Sequence, residues 1–392
     1  MSVPVPAVDV VMPDDARPTG GSLYDQRLVA ALHGLGHRAR TVPVAGSWPR
    51  PDAADRAGLR AALGGPVPGR TVLLDGLVGC AAPDVVEDAV RAGIPVHVLV
   101  HLPLPAETGL DAAEAEALAE LEAAALAVAS GVLVTSDWAA RDLRRRYGLD
   151  DVSVAVPGTH PAPLAHGSSP PRLSCVGSLT PLKNQLLLLE ALAPLVHLDW
   201  TLDLVGAPGP PGYVGTLQEA IDAFPAPGRV RRTGPRTGAD LAEQWAATDL
   251  LVLPSAAETY GMVVTEALAH GVPALVAAGT GAVEAFEGVP EGSVPATEPA
   301  GAVLDTADPT AWTGALHDWL TDPAVRARWT AAARARRESL RTWDDTARDV
   351  LAALGPAPAP ALGAPTAVAP TVSAPTADPC THPIPDDRRP SP

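Results

Sequence analysis

The chain's strongest constraint is a pattern that runs once, stops and runs again: a short apolar stretch, then an amphipathic one, several times over. In the first half the expected strands fall at residues 7–12, 38–44, 72–74, 96–100, 131–135 and 152–156. Between them, 23–35, 83–92, 111–129 and 137–147 read as helices, the first with Leu23, Leu28, Ala31, Leu32 and Leu35 on one face. The second half restarts with runs at 172–176, 200–205, 230–233, 250–253 and 274–277, each followed by a helical stretch. Strands alternating with crossover helices demand parallel sheets covered on both faces. Residues 161–171, rich in Pro, Ser and Gly, divide the two runs. The expectation is therefore an α/β chain with two doubly wound, Rossmann-like domains facing a cleft, where ligands meet the C-terminal ends of the strands.

Length agrees, since 392 residues exceed one ordinary core. After residue 308 the chain reads as helical, with Trp312, Trp319, Trp329 and Trp343 as packing anchors. From 355 to 392 Pro, Ala, Thr and Ser dominate, and such a tail cannot bury enough apolar surface to order itself. The net charge of −17 excludes nucleic acid as a partner and a broad basic surface for anionic lipid. One dense basic cluster, Arg141 to Arg146, leaves peripheral membrane contact open but reads first as the solvated face of a helix. Cys80, Cys175 and Cys380 are odd in number and scattered, fitting neither a disulfide framework nor a metal site. With no secretory leader and no apolar run of membrane length, the expected location is the cytoplasm.

Residues 250–273 carry the chemistry. A buried strand, 250–253, enters a loop bearing Glu258; Gly261 permits close backbone approach, and a helix opens at about Met262. The free N–H groups and dipole of that helix favour an anion such as a diphosphate. Glu266 follows within two turns. One carboxylate on the loop and one on the helix can grip polyols flanking a diphosphate, which describes a nucleotide sugar. Two glutamates at this spacing are common by chance, and most are solvated helix charges. The surrounding strand, glycine, Glu-Ala-Leu-Ala run and stop at Gly271 to Pro273 give this pair its meaning.

That set resembles the E-x7-E signature of the retaining GT-B glycosyltransferases, family 4 or glycogen-synthase-like, with Tyr260 in place of the common Phe. The resemblance runs over residues 5–350. It implies an N-terminal acceptor-side domain (1–160), a linker (161–171), a nucleotide-sugar-binding domain (172–340) and a helix (341–354) crossing back to the first domain. It also implies roles: Glu266 on the ribose, Glu258 on the donor-sugar hydroxyls, Lys183 with the N–H groups of Gly261, Met262 and Val263 on the diphosphate, and His101 beside the transferred sugar. Gly20 and Gly21, at the turn into the first helix, would contact donor or acceptor. Asp25 would orient an acceptor or simply sit solvated in the first turn. Ser136, after Thr135, is the natural N-cap of the next helix.

Three positions depart from the family. Ser178 stands for its diphosphate-binding Arg, Asn184 for the Gly after Lys183, and Thr280 for the first Gly of Gly-Gly-x-x-Glu, here ending in Glu284. A lost charge-assisted hydrogen bond is worth about 1.5–3 kcal/mol, so another cation must compensate, with Arg236 as the candidate, or Lys183 and backbone donors must suffice. The chain holds no Asp-X-Asp, so no metal and no cofactor are expected. The resulting expectation is a hexosyl transfer from a UDP- or GDP-sugar to a hydroxyl acceptor. A catalytically weak GT-B scaffold recruiting a partner is the competing reading, motivated by Ser178 and Thr280. An epimerase lacks an acid–base pair beyond His101.

Overall fold

A computed structural model describes residues 7–14, 19–107, 109–288 and 298–355. The expected tail, 356–392, and Cys380 lie outside the described residues.

The first sheet contains β1 (Ala7–Pro13), β2 (Arg38–Val44), β3 (Arg70–Asp75), β4 (Val96–Val100), β5 (Gly131–Val134) and β6 (Ser153–Val154). All pairs are parallel, in the order β2-β1-β3-β4-β5-β6. Its helices are α1 (Gly20–Gly34), α2 (Ala53–Leu63), α3 (Gly76–Gly79), α4 (Pro83–Arg91), α5 (Ala112–Val128) and α6 (Asp137–Tyr147). Every residue of β4 is buried because helices cover both faces. At the sheet's edge β2 exposes Arg38, Arg40 and Pro43, residues an inner strand would not tolerate.

The second sheet holds β7 (Arg172–Val176), β8 (Thr201–Val205), β9 (Val230–Gly234), β10 (Leu250–Leu253), β11 (Ala274–Ala277) and β12 (Gly301–Leu304), again parallel, in the order β12-β11-β10-β7-β8-β9. It is wrapped by α7 (Gln185–Leu192), α8 (Pro211–Asp222), α9 (Gly238–Ala246), α10 (Met262–Ala269), α11 (Ala282–Glu287), α12 (Pro309–Thr321) and α13 (Pro323–Arg337). Last comes α14 (Trp343–Ala353), whose Trp343, Ala347 and Val350 join Tyr24, Leu28 and Leu32 of α1 in one core. Trp312, Trp319 and Trp329 are buried in the core of the second sheet, where a large apolar side chain contributes about 1.5–3 kcal/mol.

Each strand order reverses once, between β1 and β3 and between β7 and β10. Such switch points open crevices at the carboxyl ends of the strands. Among the elements that differ from expectation, three are instructive. The first helix starts at Gly20 rather than 23, because Thr19 caps it through the N–H of Ser22, which puts Gly20 and Gly21 on the helix itself. The second, α2, was not expected: only Leu59 and Leu63 of its residues are buried, too few to show a period. The third, β12, is four residues long and carries no alternation to read.

Candidate active site

Both switch points face one cleft. On the second-domain side, β10 leads through Ser255 to Glu258, which is only 8% exposed. Glu258 accepts hydrogen bonds from the Ser255 hydroxyl at 2.9 Å and from the Lys183 ammonium. Lys183 comes from the short turn after β7, the strand beside β10. Asn184 follows it at φ +50°, ψ +43°. Asn is one of the few non-glycine residues at ease in that left-handed region, so the departure from Gly preserves the backbone that presents Lys183. Ser178 is exposed, and its carbonyl accepts from the Gln185 amide at 3.0 Å. Arg236 forms no ion pair among the described residues.

Gly261 adopts φ +85° and ends the loop, and α10 begins at the next residue without any side-chain cap. The N–H of Val264 donates to the Gly261 carbonyl at 2.9 Å. The Tyr260 ring is 6% exposed and sits in the core with Val264 and Ala282, so only its backbone is offered to the cleft. Met262 is shared between the cores of both domains, and Val263 is half-buried. Glu266 pairs with Arg27 of α1, Nη1 to Oε1 at 3.1 Å. Thr280 is buried; its hydroxyl donates to the Ala277 carbonyl at 3.0 Å and accepts from the Ala282 N–H at 3.3 Å, shaping the turn before α11.

On the first-domain side, Gly21 lies against His101: a Cβ there would meet the imidazole Cδ2 at 2.9 Å. Gly20 faces Met262, whose methyl would be 3.7 Å from an added Cβ. His101 follows β4 and places Nε2 3.1 Å from Asp25 Oδ1 and 3.8 Å from Asp75 Oδ2. The Tyr24 ring meets the imidazole edge-on at 5.1 Å. Burial lowers the His101 pKa, but the charge and hydrogen bond of Asp25, helped by Asp75, outweigh it and hold the pKa above its ordinary value. Burial pushes Asp75 up to about 7 against the pull of the imidazole, with the Asp25 charge adding to the rise. The ligating atoms of these three side chains lie within 4.8 Å of one another, spacing that would admit a cation. Nε2 already lies 3.1 Å from the nearer carboxylate, that of Asp25.

Five hydrogen bonds cross the cleft among the described residues. The Thr259 hydroxyl donates to the His101 carbonyl at 2.5 Å, and the Ser136 hydroxyl donates to the Thr259 carbonyl. Ser136 also accepts from the Ala139 N–H at 2.9 Å, the N-cap expected of it. Glu284 receives the N–H groups of Asp137 and Trp138 at 3.2 and 3.1 Å, so the second domain caps α6 of the first. Burial raises the Glu284 pKa in spite of those two bonds. The fifth is the Arg27–Glu266 pair. Arg27 and Asp75 escaped the sequence reading. Asp75 ends a buried strand, a position that marks it for the site, whereas nothing in the local sequence distinguishes Arg27 from any helix-surface arginine.

Two facing Rossmann-like domains with a returning C-terminal helix define the GT-B architecture. Sucrose-phosphate synthase from Thermosynechococcus elongatus superposes with a TM-score of 0.71 at 20% identity, over 88% of this chain and 97% of that one. HepE of Anabaena, solved in complex with UDP and glucose, superposes at 0.67 and 19% identity over 88% and 98%. Residues 159–336 match the family model "Glycosyl transferases group 1". Similar curated proteins include the D-inositol 3-phosphate glycosyltransferase of Salinispora tropica, 33% identical over 190 residues (46% of this chain, 37% of that protein). The enzyme of the same name from Xylanimonas cellulosilytica is 30% identical over 246 residues (58% and 57%). These alignments span well under two thirds of the relatives' own length. No helix among the described residues is long and apolar enough to cross a membrane.

Proposed function

We propose that the protein is a retaining glycosyltransferase that moves a hexosyl group from a UDP- or GDP-sugar to a hydroxyl acceptor without a metal. The observation that carries this reading is the convergence of Lys183, Glu258, Gly261 and Glu266 at one switch point, facing His101 at the other. Glu266 holds the ribose and Glu258 the sugar hydroxyls. Lys183 and the uncapped N–H groups of Gly261, Met262 and Val263 hold the diphosphate, where negative charge grows as the glycosidic bond breaks. His101 stands beside the anomeric carbon. With no second carboxylate placed as a nucleophile among the described residues, the acceptor attacks from the face the diphosphate leaves. The relatives' names support glycosyl transfer, and the UDP and glucose of HepE support a nucleotide-sugar donor.

The experiment is incubation of the full chain with UDP- and GDP-sugars, following release of free nucleoside diphosphate with and without polyol acceptors. Turnover of one donor supports the reading. Binding of a nucleotide sugar with no turnover across donors and acceptors would favour a scaffold instead.

A further inference from the structure

Beneath the cleft, His101 is clamped from two elements at once. Asp25 reaches it from α1 and Asp75 from the end of β3, both on Nε2. Asp25 is wholly buried; one of its oxygens meets the imidazole, and the carboxyl of Asp75 lies within hydrogen-bonding reach of it. The Tyr24 hydroxyl, the other polar group of α1 near the ring, is engaged with the Ala155 carbonyl at 2.9 Å. Gly21 closes the Cδ2 edge. From the second domain only the Thr259 hydroxyl arrives, and it takes the His101 backbone carbonyl rather than the ring. Nδ1 is left without a hydrogen-bond partner among the described residues, on a side chain 15% exposed.

We infer that Asp25 and Asp75 are positioning residues that fix the Nε2–H tautomer of His101 and thereby turn a bare Nδ1 toward the acceptor hydroxyl. The inference rests on the transferase reading above. A ring nitrogen whose partner N–H is held by a carboxylate is a competent base, the logic by which a buried Asp orients a catalytic His. In the transfer step the acceptor oxygen bonds to the anomeric carbon and its proton passes to Nδ1. The bond from that carbon to the diphosphate oxygen breaks, and its electron pair leaves with the nucleoside diphosphate. His101 ends as imidazolium over two carboxylates and is restored by loss of the proton to water. The charged groups facing the ring are Asp25 and Asp75, with Tyr24 as the nearest other titratable one. Both carboxylates favour the imidazolium, so the base form prevails only above a raised midpoint and turnover rises with pH through it.

The test uses 15N-labelled full-length protein, with the His101 signals assigned by their loss in His101→Gln. The expected result is a protonated Nε2 and a bare Nδ1 above a midpoint higher than 6.5. Asp25→Asn lowers that midpoint, moves the acid limb of turnover to lower pH and reduces the plateau by about 10²-fold, with little change in donor KM. Asp75→Asn shifts the midpoint the same way by less. A Nδ1–H tautomer in the wild type overturns the inference, as does a stoichiometric divalent metal with an unprotonated Nε2. So does a folded Asp25→Asn variant with wild-type midpoint and pH profile. If Asp25→Asn fails to fold, the wild-type tautomer and Asp75→Asn decide. Absence of turnover with every nucleotide sugar removes the transferase reading, while the imidazole titration still decides whether the clamp exists.

Discussion

Replacing Lys183 with Met should separate stability from catalysis in a way the geometry specifies. The ammonium is 25% exposed at its side chain and lies on a carboxylate that is 10% exposed. Without it, Glu258 keeps only the Ser255 hydroxyl. A fully buried pair broken on one side costs about 3–5 kcal/mol. Here the lysine is partly in solvent, so about 1–3 kcal/mol is expected, or a fall in Tm of about 2–4 °C per kcal/mol. Adding Glu258→Gln removes the stranded charge, so the double variant should recover most of that loss, with a coupling of about 1–3 kcal/mol in the cycle. Turnover should behave oppositely. Lys183→Met loses about 10²–10³-fold, the usual cost of one preorganised donor at a departing anion, and the second substitution restores none of it. Differential scanning fluorimetry and nucleoside diphosphate release on the four proteins give both quantities. A Lys183→Met protein with wild-type turnover would refute the diphosphate assignment. Purely additive Tm changes would refute the pair.

Glu266→Ala should weaken binding of free nucleoside diphosphate in isothermal titration, whereas Glu258→Ala should retain it and lose the intact nucleotide sugar; equal losses in both would end the division of labour. Gly281→Ala should unfold or strongly destabilise the loop bearing Glu258, because the new Cβ would lie 2.1 Å from the Thr259 carbonyl oxygen; a normal Tm would contradict the packing. Stability should fall with rising pH through the range set by Glu122. Burial raises its pKa from 4.5 to about 7, so the folded state binds the proton more tightly and loses stability between those values. The span corresponds to at most about 3 kcal/mol. Glu122→Gln should narrow the Tm difference between pH 5 and pH 8, and an unchanged difference would assign the effect to other groups.

Much of this architecture was legible because doubly wound sheets write themselves as buried runs: β4, β7, β10 and β11 fall where the apolar stretches do. Elements with little to bury, such as α2 and β12, left no such trace. In the site, Glu258, Gly261 and Glu266 were readable from one continuous motif. Arg27 and Asp75 reach the site from distant segments, and only tertiary structure brings them there. Asn184 shows how a departure from a family pattern is settled by a dihedral angle: the sequence reads it as a lost glycine, and the backbone shows the same left-handed turn.

The two carboxylates assigned to the donor already have partners, Arg27 for Glu266 and Lys183 for Glu258. Donor binding is then an exchange reaction, in which ribose and sugar hydroxyls displace guanidinium and ammonium. Measured affinity would be the difference between two sets of hydrogen bonds. Because one displaced group belongs to the first domain, substitutions at Arg27 would alter donor affinity without touching the donor. Salt, which loosens the ion pairs being displaced, would weaken the competitor along with the anion's own attraction, leaving donor affinity less sensitive to ionic strength than a diphosphate site ordinarily is.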